Sequence, residues 1–385
     1  MRTFLFAALG AVSFTAFAAL PLLPSGSGDQ VPSRLVALPA PAGQFERAPV
    51  SFAWALDPTA ALTPVQPHVA ESREFWQTVD ASELARGIDV TLTAPGAVIL
   101  VSPVRGSAAM DASDLRLSSG GKAVRLESGA SGTELMASGM PVEAGSVTAK
   151  VVGGGRGTYT LQSADARGRY VVHVFEPDSP VTLHARNQRN QVLGGETIAL
   201  SATMENNGRA IPAQAEALLV APDGSSRPVA VTTTRSGVMS AQATVPVRTT
   251  QAPGLWELQM FASGDGVQRD ARTAFAVAQP TARFKGDYGL NVQRLRVALP
   301  VEAASPGRYE ARGTLHATGP DRVLRPVSQA HAAAWFPVGD GMLVLDFSRA
   351  HLPPGYSAPF EVKQLELHDQ TRMAPLEIRA RGARF

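Results

Sequence analysis

The sequence predicts an all-β protein: three consecutive β-sandwich-type domains that follow an export leader and a proline-rich arm. Three observations predict it. Apolar side chains recur with a period of two, the signature of a strand with one buried face. Glycine-containing turn pairs punctuate these runs at the spacing of an all-β chain. Helix signal is confined to one short stretch.

The period is clearest in four places. In Arg169 to Phe175, Tyr170, Val172 and Val174 share one face and His173 takes the other. In Gly307 to His316, Tyr309, Ala311, Gly313 and Leu315 alternate with Glu310, Arg312, Thr314 and His316. Leu343, Leu345 and Phe347 alternate with Val344 and Asp346, and Trp256, Leu258 and Met260 with Glu257 and Gln259. Asp223-Gly224 and Asp265-Gly266 are hairpin pairs, because both central residues of a tight hairpin favour positive φ. Gly120-Gly121 and Gly339-Asp340-Gly341 are expected to turn likewise. Asp80-Ala81-Ser82-Glu83, closed by Gly87, predicts a capping box and a glycine stop around a turn or two of helix.

The N-terminus reads as an export signal. Arg2 precedes an apolar run from Phe4 to Phe14, and Ala16-Phe17-Ala18 supplies a small-x-small cleavage site, placing the cut between Ala18 and Ala19. The run is too short to span a bilayer, and no later stretch approaches the ~18 apolar residues of a membrane helix. The expected location is therefore the periplasm or the exterior. Residues 19–64 are rich in proline, which fixes φ and removes a donor, so an extended arm or linker is expected. Phe52, Trp54 and Leu56 alternate within it and predict one strand or peg docked on the first domain. Pro177-Asp178-Ser179-Pro180 and Gln279-Pro280 break the strand pattern, dividing the rest into 65–180, 181–280 and 281–385, each about one sandwich long.

Two stretches resemble known families. Gly195 to Thr203, Ala221-Pro222-Asp223-Gly224, Pro253-Gly254-Leu255-Trp256-Glu257-Leu258 and Phe275-Ala276-Val277 resemble a bacterial immunoglobulin-like module. Most of the chain also resembles a family of exported bacterial proteins catalogued as a domain of unknown function. That resemblance rests on Glu74-Phe75-Trp76 through Leu84, Ala94 to Ile99, Gly307-Arg308-Tyr309 and Pro359-Phe360-Glu361-Val362. It implies an N-terminal β domain followed by two immunoglobulin-like domains, and it carries no catalytic residues to transfer.

The composition narrows the chemistry. The chain has no cysteine, which removes disulfides, thiolate metal sites and a cysteine nucleophile. Its formal charge of +2 offers no nucleic-acid footprint. There is no G-x-S-x-G elbow and no H-E-x-x-H pair. Gly153-Gly154-Gly155-Arg156-Gly157 lacks the final glycine of a dinucleotide fingerprint, since Thr158 follows and begins strand-like sequence, so a hairpin loop is expected. No cofactor is called for. Glu176 and Asp178, at the first domain junction, are the calcium candidates, because calcium takes clustered oxygens. Asp111 and Asp114 form another acidic pair. Trp76, Trp256 and Trp335 are expected to plug cores.

The leading functional expectation is a non-enzymatic binding or structural protein of the cell envelope or exterior, with an envelope protein or glycan as partner. A carbohydrate-binding array is the second reading and requires an exposed aromatic strip. The third is an enzyme in the first block, where Glu71, Glu74, Asp80, Glu83, His173 and Glu176 are available.

Overall fold

The computed structural model describes residues 18–62, 66–247 and 252–385. Residues 1–17 of the expected export leader lie outside the described residues. Among these residues two compact units are present, one formed by 18–62 with 278–385 and the other by 66–247 with 252–277.

The first unit is one sandwich. Its five-strand sheet runs in the order Val50–Ala55, Leu324–Phe336, Gly307–Thr318, Ser357–Asp369, Ala374–Arg384. The opposed sheet contains Ala18–Pro21, Asp287–Asn291, Arg296–Ala303, Ala282–Phe284 and Gly339–Asp346. The period-two expectation is met: Tyr309, Ala311 and Leu315 meet Leu343, Leu345 and Phe347 in the core between the sheets.

The arm is part of this sandwich rather than a free linker. Ala18–Pro21 pairs with Asp287–Asn291, and Val50–Ala55 pairs with Leu324–Phe336. Between them Gln30, 3% exposed, bridges to Ile378, and its amide donates to the carbonyls of Pro375 and Leu376. Prolines interrupt the ladder, so the intervening residues bond singly, as Val36 N–H does to Pro280 O. The strand expected around Phe52 and Trp54 exists, but it extends the C-terminal sandwich and not the first domain.

The second unit contains two sandwiches. In one, the sheet Glu74–Asp80, Arg169–Phe175, Val98–Pro103, Val147–Val151, Leu126–Ser131 faces a smaller sheet built on Ile88–Leu92 and Gly157–Gln162. Phe75, Ile99, Val101, Tyr170, Val172 and Val174 fill the space between. In the other, Thr197–Asn206 and its neighbours face Trp256–Gly264 and Val267–Ala278 across Leu200, Met204, Met239, Leu258 and Phe275. The short strand Val69–Ser72 joins this second sandwich by pairing with Val181–Asn187.

Local signals mostly hold. The helix Ala81–Arg86 starts at Asp80, whose N–H donates to Glu83 Oε2 at 2.8 Å, and stops at Gly87 with φ 102°. Asp265-Gly266 turns the hairpin with φ of 52° and 74°. Two loop expectations are corrected. Gly339 and Gly341 belong to the strand Gly339–Asp346, where a Cβ on Gly341 would sit 2.6 Å from the Phe336 ring. The Gly153–Gly157 loop crosses from one sheet to the other instead of closing a hairpin. It is held by Tyr159, whose hydroxyl accepts from Gly155 N–H and donates to Gly155 O.

Candidate binding face

The residues singled out in the second unit are absorbed by structure. Glu176 and its partner Arg269 are both fully buried, with Arg269 Nη2 donating to Glu176 Oε2 at 2.5 Å. Thr93 N–H and Ala94 N–H donate to Glu176 Oε1, and Arg269 also donates to Ser179 Oγ and to Val181 O. Burial lowers the Arg269 pKa, and the Glu176 charge opposes that shift. The Glu176 carboxylate is thus taken by a guanidinium and two amides, while Asp178 faces solvent in the following turn. The structure does not bring these two together. Asp111 spends its carboxylate on Ser113 N–H and Oγ. Among the described residues no group of three His, Asp or Glu could hold a metal ion.

Of the carboxylates considered for catalysis, Glu71 pairs with Arg73, and Asp80 and Glu83 cap the helix. Glu74 meets His173 at 2.9 Å, and that bond, together with the His173 and Arg272 charges, holds its carboxyl below the usual range despite burial. Beside them stands Asp270, 4% exposed, which accepts from Trp76 N–H at 2.8 Å. Burial pushes Asp270 up to about 7. Trp76 closes over this group, edge-on to Phe261 and beneath the Arg272 guanidinium. Sequence reading missed Arg269 and Asp270, because Val267 to Ala278 reads as polar strand surface.

The first unit carries a different arrangement. On the outer face of its five-strand sheet, Phe52, His331, Arg312 and Glu366 lie in register across four strands. The Phe52 ring stacks on the His331 imidazole at 5.1 Å and 9°, and Trp54 stacks on the same imidazole at 5.1 Å and 25°. Phe52 remains 52% exposed and Trp54 39% exposed, while the His331 side chain beneath them is 13% exposed. A second aromatic group lies further along the same strand. There Trp335 is half-buried, stacked with Phe45 at 6.1 Å and covered by Arg47 at 4.9 Å. Arg308 Nη1 pins that part of the arm by donating to Glu46 O and Ala48 O, each at 2.9 Å. Trp256 is a core residue as expected, whereas Trp76 and Trp335 are not: each lies on an outer sheet face.

The polar groups around the rings satisfy one another. His331 Nδ1 bonds Glu310 Oε1 at 2.5 Å, and Gln370 Nε2 donates to Glu310 Oε2 at 2.9 Å. Arg312 Nη2 and His368 Nε2 meet Glu366 Oε2 at 2.5 and 2.7 Å. Burial alone would raise Glu366, but the His368 bond and the Arg312 charge outweigh it and hold it below the usual carboxylate range. His331 Nε2 has no partner. A cleft of about 630 Å³ borders the same aromatic strand, lined by Ser51, Phe52, Arg296, Asp346 and His351. Arg296 and Asp346 pair within it at 2.6 Å. Sequence alternation had already set Glu310 and Arg312 on the outer face. It could not show that the arm would lay two rings beside them.

Comparison with known proteins fits this architecture. A structure from Legionella pneumophila, described as a DUF4785 family protein, is 18% identical with a TM-score of 0.67, covering 95% of this chain and 99% of that one. At that identity the likeness shows the fold alone. Two bacterial α-2-macroglobulins also match. The Escherichia coli structure has 14% identity and a TM-score of 0.23, covering 76% of this chain and 22% of that one. The Salmonella structure has 15% identity and a TM-score of 0.27, covering 81% and 20%. At such scores they carry no argument. No curated protein matches the chain. Residues 41–176 match the model of the DUF4785 N-terminal domain and 281–383 that of the DUF4785 C-terminal domain, a domain of unknown function. The chain belongs to the DUF4785 family.

Proposed function

We propose that this protein is a non-enzymatic binding protein of the cell envelope or exterior, and that the outer sheet face of its C-terminal sandwich is the recognition surface. One observation carries the reading: Phe52 and Trp54 are held roughly parallel over His331 yet stay about half exposed. Large rings fixed in place and still open to solvent lose little entropy on binding, which makes them effective anchors. The carboxylates beside them are already paired with Arg312, His331, His368 and Gln370, an arrangement suited to holding a shape rather than transferring protons. Export is supported by Arg2, the apolar run and Ala16-Phe17-Ala18.

The test is co-sedimentation of residues 19–385 with isolated envelope fractions, comparing wild type with a Phe52→Ala/Trp54→Ala double variant. Removing two anchors costs at least about tenfold in affinity on this reading. A double variant that melts like wild type and still binds equally well defeats it.

A further inference from the structure

We propose that the free edge of Val50–Ala55 pairs with the same edge of a second copy of this chain, antiparallel about a two-fold axis at Ala53, joining two five-strand sheets into one. This pairing uses the edge of the recognition face and holds with or without a ligand on the rings. Leu56 N–H donates to Val327 O, in the register that sets Phe52 opposite His331 and Trp54 opposite Gln329. Ladder bonds alternate along a strand, so Val50, Phe52 and Trp54 turn their backbone groups to Leu324–Phe336, and Ser51, Ala53 and Ala55 turn theirs outward. Among the described residues no strand pairs with that outward edge. The opposed sheet does not close it off either. Gly339–Asp346 lies under Leu324–Phe336, with Gly341 against the Phe336 ring and Phe347 O accepting from Ser328 Oγ. Val50–Ala55 overhangs it, and Ser51 Oγ reaches down to Val344 O at 3.4 Å.

A row of unpaired N–H and C=O groups at strand spacing is complementary to another strand. Self-complementarity makes that strand a second copy. With the axis at Ala53, Ala53 meets its own copy and Ser51 meets the second copy's Ala55. That register alone engages all three outward residues, giving about six ladder hydrogen bonds. It also sets Phe52 opposite the second copy's Trp54, at the positions where side chains across a ladder approach closest. Both rings lean on His331, which belongs to the strand behind them, so part of the surface they leave in water faces the free edge. Val50–Ala55 carries no charge, so two copies meet without repulsion, and Pro49 and Pro58 stop the ladder at either end. The far edge of the same sheet is unlike it. Ala374–Arg384 bears Glu377, Arg379, Arg381 and Arg384, and the arm covers it where Gln30 and Ile378 exchange backbone bonds.

The experiment is sedimentation equilibrium of purified residues 19–385 with no envelope material present. A monomer–dimer equilibrium is expected, with a dissociation constant on the order of ten micromolar, as suits an interface of one strand pair. Ala53→Pro removes an outward N–H at the axis and none that the monomer uses, so it is expected to melt like wild type and to weaken the dimer at least about tenfold. Because the chain has no cysteine, single cysteines report the register under mild oxidation. Two copies of Ala53→Cys place their Cα atoms about 5.5 Å apart and are expected to cross-link, whereas those of Ser51→Cys stand more than about 13 Å apart and are not. A chain that stays monomeric at about 0.5 mM overturns the proposal and leaves the edge to a foreign strand. A dimer that Ala53→Pro leaves intact overturns it as well, and cross-linking of Ser51→Cys as readily as Ala53→Cys refutes the register.

Discussion

Replacing Asp270 with asparagine should stabilise the second unit above neutral pH and leave it unchanged in acid. Asp270 titrates near 7 in the folded chain against an ordinary value of 3.8, because burial disfavours its charge more than the Trp76 amide, His173 and Arg269 favour it, and Glu74 adds repulsion. A raised carboxyl pKa means that the folded state holds the proton longer than the unfolded state. The Asp270 contribution is therefore best below about pH 4, declines as pH climbs to about 7, and is flat beyond. Three units correspond to about 4 kcal/mol, an upper bound since a charged junction relaxes and admits water. Asparagine keeps an oxygen for Trp76 N–H and removes the charge. Amide exchange at Trp76, measured from pH 4 to 8, isolates the effect, because other titrations are common to both proteins and cancel in the difference. The expected result is a variant whose Trp76 amide opens less readily than wild type by a margin that grows from about zero at pH 4 to a few kcal/mol at pH 7 and stays constant above it. A variant that opens more readily at pH 8 would show that Arg269 and His173 stabilise the ionised form, refuting the burial argument.

Two further outcomes follow from packing. Glu176→Gln leaves Arg269 buried opposite a neutral amide and should cost about 3–5 kcal/mol in chemical denaturation, and a Glu176→Leu/Arg269→Met pair should recover little of that loss, because the buried Thr93 and Ala94 amides then lose their acceptor, at about 1–3 kcal/mol each. Gly341→Ala forces a methyl against the Phe336 ring, and should cost about 1–3 kcal/mol and lower the melting temperature of the first unit.

The fold was legible because strand alternation is local. Tyr170, Val172 and Val174, or Leu343, Leu345 and Phe347, announce their buried face without reference to any partner strand. What was illegible is non-local. The arm reads as linker because prolines break the alternation that would mark it as strand, yet Val50–Ala55 needs only six residues to add an edge to a sheet. Val69–Ser72 is too short to signal that it leaves its neighbours for another sandwich. Arg269 puts a charge at a buried position of the alternation, between Val267 and Ala271, and only Glu176, arriving just beyond the strand Arg169–Phe175, makes that tolerable. A second helix, Gly132–Ala137, escaped notice although Ser131 and Glu134 form the capping box that marks its start. Trp335 looked like a core residue because its neighbours along the strand are alanines, but its face is decided by register with Arg308.

The candidate face has a plainer explanation: Phe52 and Trp54 could simply shield the sheet. Shielding alone predicts that the rings lie flat and lose most of their own surface. Here one imidazole is covered almost completely while the rings above it keep about half their surface in water. An edge strand bearing exposed aromatics is an association hazard that natural sheets usually blunt with charge or proline. This strand is preceded by Pro49, but its own residues Val50 to Ala55 carry no charge. Leaving Phe52 52% and Trp54 39% exposed on an uncharged edge strand costs solubility, and the compensation is a ligand that covers them.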